Sequence, residues 1–260
     1  MNQIKIFNWN VNGLRAILKK HIINHTNFQD FIEKQDYTII ALQEVKLNDK
    51  SKHIIDNIFL KYPYRYYSLT DNSRSGVVIF SKIKANKVIY DLNQKDLRFK
   101  GRCLTLEFNN FYYTNVYQPN SGDHLKNLDF RCNKWDPIFG KFILKLIKKK
   151  QVIISGDLNV VENLLGTYNS KHYNKLAGVT QKEMNNFKLL LKDFNIVKTN
   201  GNYTYFSYRF IKSREYNKGL AIDHFLISNN NSIDVKKIEV LSKIYGLQLF
   251  NYFLLFSYNF

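Results

Sequence analysis

The sequence has little cysteine and little proline, and both shortages limit what the chain can be. It contains two cysteines and three prolines. Cys103 and Cys132 cannot form a framework of disulfides, and their spacing is not that of a cysteine metal site. No Pro/Gly/Ser-rich stretch offers a linker at which the chain could be divided. We therefore expect one domain over residues 1–260, in a reducing, cytoplasmic compartment.

Signals for membrane insertion are also scarce. The opening residues Met1–Lys5 lack the apolar stretch of a signal peptide and begin directly on a strand pattern. Residues Ile244–Phe260 carry no charged side chain, which is also typical of a membrane tail. That segment is short of a full span and contains polar residues such as Gln248 and Asn251. We predict a buried terminal strand and no membrane partner.

Acidic residues are few in comparison with basic ones. The chain has 39 Lys and Arg against 21 Asp and Glu, a formal net charge of +18. Such a charge attracts polyanions, because neutralising phosphates is the main sequence-independent source of nucleic-acid affinity. The abundance of Lys, Asn, Ile, Tyr and Phe is equally the product of A/T-rich codons. Charge alone leaves both explanations open.

Short β-branched and aromatic runs recur along the chain and predict strands. Their bounds are Ile4–Trp9, Tyr37–Gln43, Gly76–Ser81, Cys103–Phe108, Phe111–Tyr117, Val152–Ser155, Ile222–Ser228, Ile233–Val240 and Tyr252–Phe256. Helical stretches fall between them, at Thr26–Lys34, Lys50–Leu60, Leu125–Lys149 and Gln181–Leu191. Strand pairs with interposed helices predict an α/β fold, a four-layer sandwich of two packed mixed sheets flanked by helices.

Several predicted strands end in carboxylate or carboxamide side chains, where polar chemistry would be placed. Hard cations such as Mg²⁺ take oxygen ligands, typically one or two carboxylates with water and substrate phosphate. Glu44 and Asp157 could supply the carboxylates, and Asn10 and Asn159 the amide oxygens. Taken singly, each residue is weak evidence, because an Asn after a strand is more often a turn former and a lone strand-end Glu is usually a solvated charge. The set predicts a metal-dependent site for phosphate chemistry.

The order of the motifs is more specific than any one of them. The motifs are Phe7–Ala16 (FNWNVNGLRA), Leu42–Lys46 (LQEVK), Gly101-Arg102, Tyr117–Gly122 (YQPNSG), Phe130-Arg131, Trp135-Asp136, Gly156–Val160 (GDLNV), Ala177–Thr180 with Glu183, Tyr203–Arg209 (YTYFSYR) and Asn217–Asp223 (NKGLAID). Together they cover nearly the whole chain. In this order they resemble the exonuclease III and abasic-site endonuclease family. Two positions depart from its pattern, since Lys100 stands at a usual Glu and Ala221 at a usual Arg.

The resemblance implies a catalytic role for each matching polar residue. Asn10, Glu44, Asp157 and Asn159 would line a site for Mg²⁺, or for Mn²⁺, and for the scissile phosphate. Asn159 would also stabilise the transition state. Asp157 would orient or deprotonate the attacking water, or protonate the leaving oxygen. Tyr117 would hydrogen-bond the phosphate.

The resemblance also implies substrate contacts. These would come from Asn12, Tyr205, Phe206, Leu220 and Asn251. Tyr205, Phe206 and Leu220 would form the wall of a pocket for a flipped-out sugar, and a nucleotide without a base loses little stacking when it is extruded. The implied substrate is double-stranded DNA with abasic sites or blocked 3′ ends, and the implied enzyme is a monomer.

The C-terminal motif of the family is missing. Family members end in Ser-Asp-His, with the His oriented by an Asp that corresponds to Asp223. Aligning the final apolar run places Phe250 and Asn251 at the Asp and His positions, and neither can take up a proton near neutral pH. His224 should not replace the missing His, because strand alternation turns it away from the side that Asp223 faces. Losing a positioned acid/base group typically lowers a rate by about 10²–10⁴-fold.

Three functions therefore remain open from the sequence. The first is a DNA phosphodiesterase of base-excision repair with reduced activity. The second is a catalytically inactive DNA-binding remnant of the same family. The third is a related phosphodiesterase for RNA or phospholipid, which the motifs Tyr203–Arg209 and Asn217–Asp223 argue against.

Overall fold

The computed structural model describes residues 3–19, 21–23, 26–172, 174–197, 203–207, 212–230, 234–240 and 254–259. Its helices are α1 (Leu14–Leu18), α2 (Phe28–Lys34), α3 (His53–Asp56), α4 (Asp136–Ile147) and α5 (Gln181–Leu191). Its strands are β1 (Gln3–Asn10), β2 (His21–Ile23), β3 (Thr26–Asn27), β4 (Ile39–Gln43), β5 (Tyr64–Ser68), β6 (Val77–Ser81), β7 (Lys87–Tyr90), β8 (Cys103–Glu107), β9 (Phe111–Tyr117), β10 (Gln151–Asp157), β11 (Phe194–Ile196), β12 (Tyr205–Phe206), β13 (Gly219–Leu220), β14 (Asp223–Ser228), β15 (Asp234–Val240) and β16 (Leu254–Asn259). A search of these residues finds no helix with the length and apolarity needed to cross a bilayer.

Two six-stranded sheets form the centre of the molecule. The first sheet has the order β15-β16-β1-β4-β6-β5, and the second has the order β11-β14-β10-β9-β8-β7. β1 is parallel to β4, and β10 is parallel to β9, whereas the other pairs within these sheets are antiparallel. In the first sheet β16 lies between β1 and β15, so that Gln3 is paired with Asn259. Both sheets are therefore mixed, as predicted.

Three apolar clusters separate the layers. Strand alternation gives each sheet two apolar faces, which is typical of a sheet covered on both sides. The cluster between the sheets includes Ile6, Ile39, Ile79, Leu104, Tyr113 and Ile153. The outer face of the first sheet packs on α1, α2 and α3 through Phe7, Leu14, Phe28, Leu42 and Ile55. The outer face of the second packs on α4 and α5 through Phe139, Ile143, Ile154, Phe187 and Leu226. The predicted four-layer sandwich is confirmed.

The predicted strands are all present, with their ends shifted, but two predicted helices are shorter than expected. Leu125–Lys149 was expected to be one helix, yet a π-helical segment, Phe130–Trp135, precedes α4. Pro137 has no amide hydrogen to donate to the preceding turn, so a regular α-helix cannot run through it. Lys50–Leu60 reduces to a 3₁₀ turn and α3, which ends at Asp56. Phe59, with a left-handed φ of 50°, excludes a helix that runs on to Leu60.

The two parallel pairs place four strand ends together. Asn10 is in register with Gln43 at the ends of β1 and β4, and Asp157 is in register with Tyr117 at the ends of β10 and β9. The carboxyl ends of parallel strands meet at one edge of a sheet. Each sheet therefore presents one pair of polar strand ends to the loops.

Candidate active site

One amide nitrogen joins the two sheets at this edge. Asn10 Nδ2 donates hydrogen bonds to Glu44 Oε1 and to Asp157 Oδ2, each at 2.9 Å. Its Oδ1 accepts from the backbone nitrogen of Asn12 at 3.0 Å, and this bond sets the orientation of the amide. Two carboxylates, one at the edge of each sheet, thus accept hydrogen bonds from the same amide nitrogen.

A second cluster forms where β10 ends beside β9. The Asn159 backbone nitrogen donates to Asp157 Oδ1 at 2.9 Å, and Asn159 Nδ2 donates to the Gln118 carbonyl at 2.9 Å. Asn159 Oδ1 accepts from Asn120 Nδ2 at 2.7 Å. Asn159 is therefore held by the loop that follows Tyr117. Asn120 belongs to the Tyr117–Gly122 motif, but no role was predicted for it from the sequence.

The backbone of these turns is strained. Asn12, Glu44, Lys46 and Asn159 have φ values of 45°, 48°, 53° and 50°. Such left-handed conformations cost about 1–3 kcal/mol each for residues other than glycine, and they cluster at functional sites. In the turns after β1 and β4, the side chains of Asn12 and Glu44 both contact Lys46.

The electrostatics of the site suit a divalent cation. Burial raises the pKa of Asp157 to about 7, and the nearby Glu44 carboxylate adds to the shift. Lys46 Nζ lies 3.3 Å from Glu44 Oε2 and also contacts Asn12 Oδ1. In the part of the chain that is described, no three His, Cys, Asp or Glu side chains are arranged to hold a metal ion by themselves. A cation here would have two carboxylates, with amide oxygens and water completing its shell, as Mg²⁺ accepts.

Tyr117 is adjacent to this pair. Burial raises the pKa of its phenol well above the ordinary value, and the Glu44 carboxylate raises it further. The Arg102 guanidinium lies 5.0 Å from the centre of the Tyr117 ring. Tyr117 is therefore a neutral hydrogen-bond donor over the physiological pH range.

Lys100, which stands where the family resembled by the sequence usually has Glu, forms an ion pair with Asp71 at 3.2 Å.

Asp223 begins β14 in register with Asp157. Burial raises the pKa of Asp223 well above its ordinary value, and the charge of Asp157 adds to it. Thr204 Oγ1 accepts from the backbone nitrogens of Ile222 and Asp223 at 3.0 and 2.9 Å. Both carboxylate oxygens of Asp223 are buried, and neither has a hydrogen-bond partner within the described ranges.

The expected replacements for the terminal Asp-His pair, Phe250 and Asn251, lie outside the described residues. His224 was expected to face away from the side that Asp223 faces, and it packs in the interior. It is buried, its Nε2 lies 2.8 Å from the Val160 carbonyl, and its ring contacts Phe187 at 5.0 Å between centres. His224 thus faces the outer cluster of the second sheet, away from the strand-end carboxylates.

The three predicted pocket residues lie side by side. β12 pairs with β13, so that Tyr205 is opposite Leu220. Phe206 is 1% exposed, and Arg214 covers its ring at 5.3 Å. Tyr205 and Leu220 are half-buried and can face a ligand. The role of these residues as a sugar pocket stays a prediction.

Arg131 is a residue whose contribution the sequence did not reveal. Its side chain is buried in the π-helical segment and pairs with Asp136 at 2.8 Å. The guanidinium also donates to the Pro119 carbonyl at 2.7 Å, to Gln118 Oε1 at 2.6 Å and to the Leu158 carbonyl at 2.8 Å. One cation therefore ties the loop after β9 to the loop after β10. Its position in the Phe130-Arg131 motif was the only feature of the sequence that indicated a role for it.

Glu183 supports the same loop from α5. Its carboxylate accepts from Thr180 in a capping box, from the Gly178 backbone nitrogen at 3.0 Å and from Ser121 Oγ at 2.5 Å. The side chain is fully buried. A capping box satisfies the first amides of a helix, and here it also reaches the loop after β9.

Comparison with known proteins agrees with this geometry. Residues 7–237 match the endonuclease/exonuclease/phosphatase family. The chain is 32% identical to an exodeoxyribonuclease of Bacillus subtilis (strain 168), over 94% of this chain and 95% of that protein. It is 32% identical to a DNA-(apurinic or apyrimidinic site) endonuclease of Dictyostelium discoideum, over 90% of this chain and 65% of that protein.

Solved structures show the same fold. A 3′–5′ exonuclease from Neisseria meningitidis superposes with a TM-score of 0.82, at 18% identity, over 99% of this chain and 100% of that one. An AP endonuclease from Archaeoglobus fulgidus superposes with a TM-score of 0.78, at 18% identity, over 98% of both chains. The chain therefore belongs to the endonuclease/exonuclease/phosphatase family, as a relative of its exodeoxyribonucleases and AP endonucleases.

Proposed function

We propose that the protein is a metal-dependent DNA phosphodiesterase of base-excision repair, which cuts 5′ to abasic sites and removes blocked 3′ ends. The main support for the proposal is one observation: the carboxylates of Glu44 and Asp157 both accept hydrogen bonds from Asn10, beside Tyr117. The names of its relatives, an exodeoxyribonuclease and an abasic-site endonuclease, support it. So does the fold shared with a Neisseria 3′ phosphatase bound to product DNA.

Mg²⁺ is the proposed cation, and Mn²⁺ would fit the same oxygen ligands. Glu44 and Asp157 would hold it by their carboxylates, and Asn10 and Asn159 by the remaining lone pair of each amide oxygen. A bound cation would stabilise negative charge on the phosphate. The closeness of the two carboxylates on Asn10 supports a hard cation that keeps water in its shell.

The side chains of this site can carry the remaining chemistry. Tyr117 can donate a hydrogen bond to a phosphate oxygen, and Asn159 can bind the phosphate through its amide. Asp157, with a pKa of about 7, can take a proton from the attacking water or return one to the leaving oxygen. For Asp223 we propose the orienting role that the family resemblance implies, and for Asn12 and Asn251 contacts with the substrate.

Double-stranded DNA is the proposed partner. The net charge of +18 supports it, because phosphate neutralisation would make binding strong at low salt. Tyr205, Phe206 and Leu220 are proposed to receive the baseless sugar. We further propose that residues 1–260 act as one domain and as a monomer, in a reducing cytoplasmic compartment that suits two free, buried cysteines.

A nicking assay tests the proposal. The purified protein with Mg²⁺ should nick a duplex that carries one abasic site, and a chelator should abolish the nicking. Asp157→Asn should lower the rate by about 10²–10⁴-fold, because it removes both a carboxylate ligand and the proton acceptor. Asp56→Asn, on the exposed side of α3, is the matched control and should leave the rate unchanged.

The inactive DNA-binding remnant is the alternative, and the replacement of the terminal Asp-His pair favours it. It predicts abasic duplex binding that weakens with salt and no nicking even at high enzyme concentration. The double change Phe250→Asp with Asn251→His should raise the nicking rate if these positions are aligned correctly. No gain from the double change would contradict that alignment, and cleavage of single-stranded RNA or an inositol phosphate instead of DNA would reject the substrate.

A further inference from the structure

A layer of polar side chains crosses the otherwise apolar space between the sheets. Gln43 Nε2 donates to Asn8 Oδ1 at 2.8 Å and to Asn115 Oδ1 at 2.6 Å. Ser155 Oγ donates to Asn8 Oδ1 at 3.0 Å, and the Tyr113 hydroxyl shares a hydrogen bond with Ser155 Oγ at 2.6 Å. All five side chains are buried. We refer to these five residues as the polar layer.

The polar layer lies directly behind the candidate active site. Side chains two residues apart on a strand point to the same face. The layer and site residues that share a strand in this way are Asn8 with Asn10, Asn115 with Tyr117, and Ser155 with Asp157. Gln43 immediately precedes Glu44. The four strand ends that position Asn10, Glu44, Tyr117 and Asp157 therefore each carry a member of the layer.

Asn115 makes the most contacts across the gap. It belongs to β9 of the second sheet, yet its Nδ2 donates to the carbonyls of Leu42 and Val78, at 3.1 and 3.0 Å. Its Oδ1 accepts from Gln43. All three partners lie on β4 or β6 of the first sheet. One buried amide is thus bonded to the opposite sheet at three points.

Hydrogen bonds constrain distance more sharply than apolar contacts do. Apolar side chains tolerate small sliding, whereas three hydrogen bonds of about 3 Å are satisfied together at one separation and register. Buried polar groups need partners, so losing that register leaves donors and acceptors unsatisfied. Glu44 and Asp157 lie on opposite sides of this gap, so the separation of the sheets sets the distance between them.

We propose that Asn115 is a positioning residue, which fixes the spacing of the sheets and thereby the spacing of the Glu44 and Asp157 carboxylates for a divalent cation. The inference rests on the proposed function, in that it takes this pair of carboxylates as the metal site. Asn115 acts through the sheets and touches neither metal nor substrate.

The test compares Asn115→Leu with Thr114→Val. Thr114 is the next residue back on β9, is buried, and bonds Thr105 within the second sheet at 2.9 Å, so its loss removes a buried hydrogen bond that does not cross the gap. Mn²⁺ binding to the full chain is measured by electron paramagnetic resonance of the free ion. Asn115→Leu should weaken Mn²⁺ binding about tenfold or more, the effect typical of residues that orient metal ligands. Thr114→Val should bind Mn²⁺ as the wild type does.

Nicking kinetics provide a second measurement. Asn115→Leu should lower kcat while KM for the abasic duplex stays near the wild-type value, because the DNA-contacting surface is unchanged. If Asn115→Leu does not fold, Gln43→Met serves in its place. It removes the bonds from Gln43 to Asn115 and Asn8 but keeps both bonds from Asn115 to the Leu42 and Val78 carbonyls, so it should weaken Mn²⁺ binding less than tenfold but measurably.

The outcomes separate the two proposals. A folded Asn115→Leu or Gln43→Met protein that binds Mn²⁺ as tightly as the wild type overturns the positioning role alone. A wild type that binds Mn²⁺ but never nicks DNA overturns the proposed function alone, and the affinity comparison still decides the positioning role. A wild type that binds no Mn²⁺ overturns both.

Discussion

The two halves of the candidate active site are built in different ways. The first half is the pair of turns after β1 and β4, which present Asn10 and Glu44. Its turns are joined by main-chain hydrogen bonds, from Gly13 to the Glu44 carbonyl at 2.7 Å and from Leu14 to the Val45 carbonyl at 3.0 Å. Leu14 and Val45 are fully buried in the apolar cluster beneath. Backbone pairing and apolar burial therefore hold the first half.

The second half consists of the turns after β9 and β10. One main-chain hydrogen bond joins them, from Gln118 to the Asp157 carbonyl at 2.9 Å, and buried charged side chains supply the other links. Arg131 bonds both turns, and Glu183 bonds the first of them through Ser121. Both side chains are charged and nearly inaccessible to solvent. A buried ion is costly once its partner is removed, whereas backbone pairing survives most side-chain changes. We therefore expect the second half to be far more sensitive to single substitutions.

The largest expected effect comes from Arg131→Met. It removes the bonds to Pro119, Gln118 and Leu158 and leaves Asp136 without its cation, so the free energy of unfolding should fall by about 3–5 kcal/mol. Urea denaturation measures the loss.

The matched control for this change is Lys82→Met, which breaks an ion pair with Asp36, whose side chain is 85% exposed. Its effect on the free energy of unfolding should be below about 1 kcal/mol. Equal losses in Arg131→Met and Lys82→Met would show that the second half does not depend on its buried ion.

A glycine from each half provides a sharper pair. Gly13 and Gly156 both have positive φ, of 118° and 146°, so either alanine variant carries a backbone penalty of about 1–2 kcal/mol. At Gly13 the nearest atom to an added Cβ is a Lys46 side-chain carbon at 3.9 Å, but at Gly156 it is the Val116 carbonyl oxygen at 1.9 Å. Gly156→Ala should therefore cost about 3 kcal/mol in total, since β9 and β10 must separate.

The melting temperatures of both glycine variants test this difference. Gly13→Ala should remain folded and keep its affinity for Mn²⁺, whereas Gly156→Ala should lose affinity as Asp157 moves. A Gly156→Ala protein as stable as Gly13→Ala would mean that β9 and β10 can part at little cost.

The remaining effect is a pH dependence of stability, to which the buried carboxyls of Asp157 and Asp223 both contribute. Asp157 has a folded-state pKa raised from 3.8 to about 7, so between these pH values the folded state binds more protons than the unfolded state. Stability of the metal-free protein should therefore fall as pH rises through that window. Asp157→Asn should flatten the slope, measured as melting temperature in a chelator at several pH values.

Glu107 offers a control of opposite sign. The Lys150 ammonium lowers the pKa of its carboxyl, so its contribution is present above the unfolded value and is lost as pH falls. Glu107→Gln should reduce stability near neutral pH and leave the Asp157 slope in place. Asp223, whose pKa is also raised, should keep part of the slope, so an Asp157→Asn protein with an undiminished slope would contradict the assignment.

Much of the fold and part of the site could be predicted from the sequence. Runs such as Phe111–Tyr117 carry strand periodicity locally, so they identify strands without knowledge of their neighbours. The convergence of Asn10, Glu44 and Asp157 followed from the order of motifs. The break before α4 was not predicted, because the helical periodicity of the apolar residues continues across Pro137. Pro137 lacks the amide hydrogen that a continuous α-helix requires there.

The rest could not be read from sequence because it depends on distant partners. Arg131 and Asn115 look like ordinary polar residues until the sheets bring their acceptors within hydrogen-bonding distance. The orientation of the Asn10 amide depends on Glu44 and Asp157 together, which lie on different sheets. The burial of Phe206 depends on Arg214 covering its ring.

The position of β16 has a consequence for synthesis of the chain. β1 emerges from the ribosome long before β16, and one of its two edges is paired only when β16 has been made and inserted beside β15. Pairings between such distant segments form slowly. Until then the growing chain exposes an unpaired strand edge, the type of surface on which aggregation begins. Chaperones should therefore be needed to protect the nascent protein late in translation, when most of the second sheet is already complete.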